Sequence, residues 1–281
     1  MKIIRFAILT SLLAAAACAQ DNSADKVTVP FSNPSRPRTL KAHMVTGGIT
    51  VRGYNGKEVV VEARGGEGRE HERERDRDRD RGGRNTEGMR RIENTSAYGL
   101  TVEEEDNVVT VSTRSPNRYT ELVIQVPVNT SLKLNVVNGG NINVENVTGE
   151  IEVNNVNGGV RLTNVAGSVI AHALNQNVVV TLTKATPDKA MSFSSLNGDI
   201  DITLPADIKA KAKLKTDNGE IYSDFDVKID PSSRQPIIEE GRSGGKYRVR
   251  VDKTMIGLIN GGGPEFLFQT FNGNVYIRKA K

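Results

Sequence analysis

Residues Val137–Leu162 read VNGGNINVENVTGEIEVNNVNGGVRL, and the stretch nearly repeats itself before it ends. Ile142, Val144 and Val147 form an apolar triplet; nine residues on stand Ile151, Val153 and Val156, then Val160, Leu162 and Val165, then Val169, Ala171 and Leu174. Apolar residues at relative positions 0, +2 and +5 of a nine-residue period describe strand alternation broken once per unit. Each unit is therefore read as a short strand followed by a corner. Glycine precedes every triplet by two residues, at Gly140, Gly149, Gly158 and Gly167, where a residue without a Cβ is free to take positive φ. Asn146, Asn155 and Asn164 follow the strands; asparagine tolerates the left-handed conformation, and its amide can bond to another amide stacked on it.

The glycine phase persists at a longer stride. Gly198 precedes Ile200, Gly219 precedes Ile221, Gly273 precedes Val275 and Gly47 precedes Ile49. Asn-Gly stands at 157–158, 197–198, 218–219 and 272–273, whereas the units between carry Thr148-Gly149 and Ala166-Gly167. The repeat is thus two units, about 18–22 residues, with like residues returning to like corners, which is the signature of a parallel β-solenoid. Gln176, where a glycine would precede Val178, is one departure.

Composition agrees. Of 281 residues 37% are hydrophobic but only 5% aromatic, with no Trp and 27 Gly; this suits an elongated all-β domain with a thin aliphatic core. The formal charge of +4 arises from 38 basic against 34 acidic residues, a mixed rather than polarised surface. With so few aromatic residues and no recognition motif, nucleic acid is not an expected partner.

Lys2 and Arg5 precede the apolar run Phe6 to Ala17, long enough for a signal-peptide core and too short to span a bilayer. The expectation is export, with a signal peptide over 1–19. Ala15-Ala16-Ala17-Cys18 allows cleavage before Cys18 and its lipidation; Ala17-Cys18-Ala19 allows cleavage after Ala19 and a periplasmic product. Cys18 is the one cysteine of the chain, so no internal disulfide forms. Residues 20–38, polar and bearing Pro30, Pro34 and Pro37, read as an extended tether, and the β domain is expected from 39 to 281. Within it, 64–95 reads as a disordered charged insertion: EGREHERERDRDRDRGGR over 67–84 offers no apolar residue to bury. Residues 100–114, LTVEEEDNVVTVSTR, read as a hairpin around Asp106-Asn107.

The order VPVNTSLKLNVVNGGNINVENVTGEIEVNNVNGGVRL, NVAGSVIAHAL, SLNGDIDITLP and terminal TFNGNVYIRK, with the early GGITVRGYNGKEVVVEA, resembles the bacterial adhesin-like family DUF4097 over roughly residues 39–281. The resemblance implies a right-handed single-stranded β-helix exposed on the cell envelope; the two cleavage readings at Cys18 leave it either anchored in the outer membrane as a lipoprotein or periplasmic. The resemblance carries over no catalytic residue.

Candidate chemistry is sparse. Calcium-binding glycine-rich rolls need an aspartate at every turn, and turns reading NGGNI, TGEI, NGGV and AGSV lack it; no metal or cofactor is expected. Asp199 and Asp201 lie two apart on one strand, hence on one outward face, and Glu220 takes the place of Asp199 one repeat later. Carboxylates so placed would suit acid–base work or a cation, which is the alternative reading of a carbohydrate-active lyase or hydrolase. Chance neighbours on an outward polar face are the commoner cause. Lys209, Lys211, Lys213 and Lys215 alternate with Ala210, Ala212 and Leu214, giving a solvated basic face paired with an acidic neighbour or a protected edge. Phe266, Phe268 and Phe271 are expected to close an apolar end. The leading expectation is a non-catalytic envelope binding or scaffolding module, its partner an envelope protein or glycan and its membrane contact only the anchor.

Overall fold

A computed structural model describes residues 25–65, 99–113, 119–234, 237–243, 246–252 and 254–281. The readings of a signal peptide, of Cys18 and of the charged segment beyond Gly65 lie outside the described residues. The fold is all-β, and its described residues form twenty strands: β1 (Asp25–Pro30), β2 (Thr39–Tyr54), β3 (Glu58–Gly65), β4 (Leu100–Glu105), β5 (Val108–Thr113), β6 (Thr120–Pro127), β7 (Ser131–Glu145), β8 (Thr148–Asn155), β9 (Val160–Ala173), β10 (Val178–Ala185), β11 (Met191–Ser195), β12 (Ile200–Leu204), β13 (Ala210–Asn218), β14 (Ile221–Ser223), β15 (Val227–Ile229), β16 (Ile237–Ser243), β17 (Lys246–Asp252), β18 (Met255–Ile259), β19 (Glu265–Asn272) and β20 (Val275–Lys279). β16 and β17 pair only with each other; the rest join one sheet.

Pairing sorts these strands into two columns between which the chain alternates. The first holds, in spatial order, β4, β5, residues 39–44 of β2, 131–136 of β7, β8, 166–173 of β9, β11, β19, β13, β18 and β15. The second holds β1, β3, β6, residues 47–54 of β2, 142–145 of β7, 160–163 of β9, β10, β12, β20 and β14. Partners in the middle are offset by 18 residues, as in Val144↔Leu162↔Val180 and Val153↔Ala171, and then by 22, as in Val180↔Ile202 and Ala171↔Phe193.

Burial follows the nine-residue phase with one refinement. Ile142, Val144, Val147, Ile151, Val153, Val160, Leu162, Val165, Val169 and Ala171 are all buried in one aliphatic core. Val156 and Leu174 are not, because in alternate units the residue before them turns inward: Asn155 and Ala173 are buried instead. The inward Asn155 amide donates to the carbonyls of Gly140 at 2.9 Å and Gly159 at 3.1 Å. Ser195, Thr270 and Thr216 serve the same corner elsewhere, donating to the carbonyls of Gln176, Gly198 and Gly273. Inward-facing corner carbonyls need a donor, and these hydroxyls and the amide provide it. The two halves of the repeat differ for this reason.

The corner glycines are required more by crowding than by dihedral angle. Gly140, Gly149 and Gly158 do not have positive φ, and Gly167 does (121°). A Cβ on Gly158 would lie 1.9 Å from the Gly140 carbonyl oxygen, and one on Gly167 2.0 Å from that of Gly149. Asn146 and Asn164 adopt the left-handed conformation as expected. A file of side-chain amides runs along the outside of one corner: Asn157 donates to Asn138 (2.8 Å), Asn175 to Asn157 (2.8 Å), Asn197 to Asn175 (3.0 Å), Asn272 to Asn197 (2.7 Å) and Asn218 to Asn272 (2.9 Å).

That last order shows where spatial and chain order part. β19 and β20 lie between β11–β12 and β13–β14, and β2 lies between β5–β6 and β7. Phe266 and Phe268 therefore sit inside the stack, with Phe268 stacked on Phe193 at 5.4 Å. Phe271 is 46% exposed, so these residues do not close an end. Antiparallel strands cover both columns on one side, with β4 and with β3 and β1, and the first column on the other, with β18 and β15, where the second column ends on β14. The stretch expected as a tether over 20–38 is ordered from residue 25. β1 pairs with β3, Phe31 is buried, and the Glu104 carboxylate accepts from the Ser32 hydroxyl (2.6 Å) and the Ser32 N–H (3.1 Å). Asn107, itself buried at the β4–β5 turn, accepts from the Asn33 N–H at 2.7 Å. Those bonds tie the segment to the hairpin, and the Ser32 bonds hold the Glu104 carboxyl below its ordinary range.

Candidate functional site

The three acids singled out from sequence share one outward face at the β12–β20–β14 end but form no catalytic pair. Asp199 is part of a backbone-bonding file: Asn177 accepts from the Asp199 N–H (2.9 Å), Asp199 from the Asn274 N–H (2.7 Å), and Asn274 from the Glu220 N–H (2.9 Å). Asn274 thus stands between Asp199 and Glu220, two strand spacings apart, because β20 is inserted there. Asp201 accepts two bonds from Arg278, at 2.7 Å from Nε and 2.9 Å from Nη2, a planar fork-to-carboxylate pairing. Glu220 accepts from the Tyr222 hydroxyl, and this bond pushes the phenol above its ordinary pKa, so the ring stays neutral to higher pH.

Around these acids the structure gathers residues that the sequence reading passed over. Asp201, Tyr276 and Tyr222 are direct partners across three adjacent strands. The two tyrosine rings stack at 5.3 Å with 7° between planes, and the Arg278 guanidinium lies 5.4 Å from the Tyr276 centroid. Arg278, Tyr276 and Tyr222 therefore form a cation–aromatic–aromatic stack fixed at one end by Asp201 and at the other by Glu220. The signal was present: Asn197-Gly-Asp-Ile-Asp201, Asn272-Gly-Asn-Val-Tyr276 and Asn218-Gly-Glu-Ile-Tyr222 place these residues at one position of the repeat. What hid it was the strand order.

Elsewhere, two lysines of the basic face share one carboxylate. Lys211 and Lys213 approach Glu265 of β19 at 4.0 and 3.9 Å, and β13 is flanked by β19 and β18, so it is not an edge. His172 Nδ1 lies 2.8 Å from the Ser194 hydroxyl, a pair made by neighbouring strands β9 and β11. A cleft of about 630 Å³ is lined by Lys184, Asp188, Asp207, Lys209 and Phe266, among others, where Gly262–Pro264 part the segments after β10 and β12. Among the described residues no cluster of His, Cys, Asp or Glu is placed to hold a metal, and no helix is long and apolar enough to cross a membrane.

No family model and no curated protein matches the chain. Solved structures that resemble it include a "putative cell adhesion protein" of Clostridium sporogenes (TM-score 0.40, 11% identity, covering 92% of this chain and 100% of that one). A "putative adhesin" of Bacteroides fragilis follows (TM-score 0.29, 12% identity, 92% and 97% covered), with a "putative lipid binding protein" of Parabacteroides distasonis (TM-score 0.32, 12% identity, 93% and 98% covered). At these TM-scores the likenesses carry no argument about function.

Proposed function

We propose that the chain is an exported, non-catalytic binding or scaffolding module of the bacterial envelope, built as a right-handed single-stranded β-helix with coils of about 18–22 residues, of the adhesin-like DUF4097 kind. The observation that carries this reading is the parallel register that returns at offsets of 18 and 22 residues, which lays outward side chains in straight rows over a stiff scaffold. The bonds of Asp199, Asp201 and Glu220 to Asn274, Arg278 and Tyr222 favour a structural role for the acids. No cofactor enters this reading, and the ligand is an envelope protein or glycan.

The purified protein incubated with acidic and neutral glycans and with envelope fractions is expected to bind without turning any of them over. Release of shortened glycan would establish the lyase or hydrolase instead. Anchoring through Cys18 belongs to the same reading. An acyl chain contributes about 0.8 kcal/mol per buried CH₂, so the protein is expected in the membrane fraction. Cys18→Ser is expected to release it or to leave the precursor uncleaved. An unchanged soluble mature form would reject the anchor.

A further inference from the structure

The aromatic stack ends abruptly. Arg278 lies over the Tyr276 ring and Tyr222 stacks on it, but among the described residues β14, which carries Tyr222, pairs with no strand except β20. Among the described residues no ring or cation stacks on the second face of Tyr222, which is 49% exposed. The neighbouring column does not stop there, since β13 is followed by β18 and β15. The second column thus finishes two strands short of the first, on an aromatic ring at its open end.

That ring is held in place. Tyr276 fixes its inner face, and the hydroxyl bond to Glu220 fixes its rotation, so a ligand stacking on it orders little further. An aromatic face is negative and apolar at once, and it suits a surface of C–H bonds with polarised hydrogens. Glu220 stands beside the ring with a carboxylate whose Oε2 takes the Tyr222 hydroxyl, leaving acceptor capacity on Oε1 for hydroxyl donors. An apolar C–H face edged by hydroxyl donors is the description of a pyranose. A carboxylated or phosphorylated sugar would meet the Glu220 charge, while the cation of the stack, Arg278, is already engaged by Asp201.

We propose that the open face of Tyr222, with the Glu220 carboxylate, binds an uncharged pyranose unit of a glycan. This rests on the binding-module reading and names the ligand class and the place. Tyr222 and Glu220 are the contacting residues; Tyr276, Arg278 and Asp201 position them.

The test is titration of the full chain with uncharged tetrasaccharides of glucose, galactose, mannose and N-acetylglucosamine, followed by tyrosine ring NMR shifts, beside a galacturonate tetramer and choline, with envelope fractions tested in parallel by co-sedimentation. At least one uncharged oligosaccharide is expected to shift the Tyr222 and Tyr276 rings. Tyr222→Ala is expected to weaken binding at least tenfold, Tyr222→Phe to keep most of it because stacking survives, and Glu220→Gln to weaken it severalfold. Tyr54→Ala, far from the stack, is expected to change nothing. Preference for galacturonate or choline, binding to none of the uncharged set, or binding unaltered in Tyr222→Ala would each overturn the proposal. If envelope fractions are nonetheless bound in those cases, the module reading stands alone; if wild-type protein binds no envelope fraction either, both readings fall.

Discussion

The middle of the molecule and its two ends solve the same problem differently. Between β7 and β12 each strand pairs with the one a repeat later, so chain order and spatial order coincide. At the ends they do not: β2 is held between β5–β6 and β7, and β19–β20 between β11–β12 and β13–β14. A stack in chain order frays from its last repeat, because that repeat touches one neighbour only. Here the terminal strand pair touches two, and antiparallel strands cover both columns at the β4–β3 side and the first column at the β18–β15 side, where they do not offer the same parallel template to another chain, while the second column ends there on β14. A periodic middle supplies length; interleaved ends supply closure.

The largest effect expected from breaking this contrast is removal of residues 265–281. In a stack ordered as the chain is, one end interface would go. Here β11 and β13 lose a shared partner, as do β12 and β14, and hydrogen exchange is expected to show loss of protection throughout 191–223 while 131–173 stays protected. Confinement of the loss to 210–223 would argue for chain order.

Next come single core changes, one in each region. Val153, 1% exposed in the middle, replaced by Asp is expected to lose several kcal/mol, since a buried carboxylate has no partner there. Phe268→Ala at the interleaved end is expected to cost about 3–5 kcal/mol. Glu152→Lys, beside Val153 but outward and paired at 3.0 Å with Lys133, is expected to stay within about 1 kcal/mol. Denaturant melts measure all three, and a silent Phe268→Ala would mean the end is loosely packed. Gly167→Ala, with φ at 121° and the Gly149 carbonyl 2.0 Å from the new Cβ, is expected to cost on the order of 1–3 kcal/mol.

Smaller still is the amide file that crosses both regions. Asn157→Ala in the middle and Asn272→Ala at the end each break two side-chain amide bonds, at about 1 kcal/mol or less for exposed groups. Equal losses would show one continuous file. The smallest effect is a pH dependence at the N-terminal cap. The Glu104 carboxyl is depressed by its Ser32 bonds, so its contribution is present above the usual glutamate value and is lost as pH falls through the lower folded value. Ser32→Ala is expected to raise the Glu104 midpoint in an NMR titration and to leave neutral-pH stability nearly unchanged.

The middle was legible because its rule is local. Alternation, corner glycines and left-handed Asn146 and Asn164 are all set within nine residues. The inward Asn155 was misread because it shares its type and spacing with outward neighbours, and only the carbonyls of Gly140 and Gly159 explain it. The hairpin of β4 and β5 was legible too, being local, but the inserted strands at the ends were not, because their pairings join residues more than fifty apart in the chain, as Thr270 and Thr216 are, and no period reports that. For the same reason Tyr222 and Tyr276 were overlooked: Asp199 and Glu220 were read as adjacent, whereas β20 stands between them. The tether failed on a single apolar residue, Phe31, whose burial brings residues 25–38 onto the hairpin.

The central claim is the insertion of the terminal strand pair, and disulfide trapping tests it most directly, in a Cys18→Ser background so that the introduced pair stands alone. Ser194 and Gln269 are direct partners, as are Gln269 and Lys215. One strand spacing is about 4.8 Å and two are roughly 9.6 Å, and a disulfide forms only when Cα atoms are closer than about 7 Å. Cysteines at 194 and 269, and at 269 and 215, are expected to oxidise readily, and cysteines at 194 and 215 to remain reduced. Ready bonding of 194 to 215, with 194 and 269 failing to bond, would contradict the account.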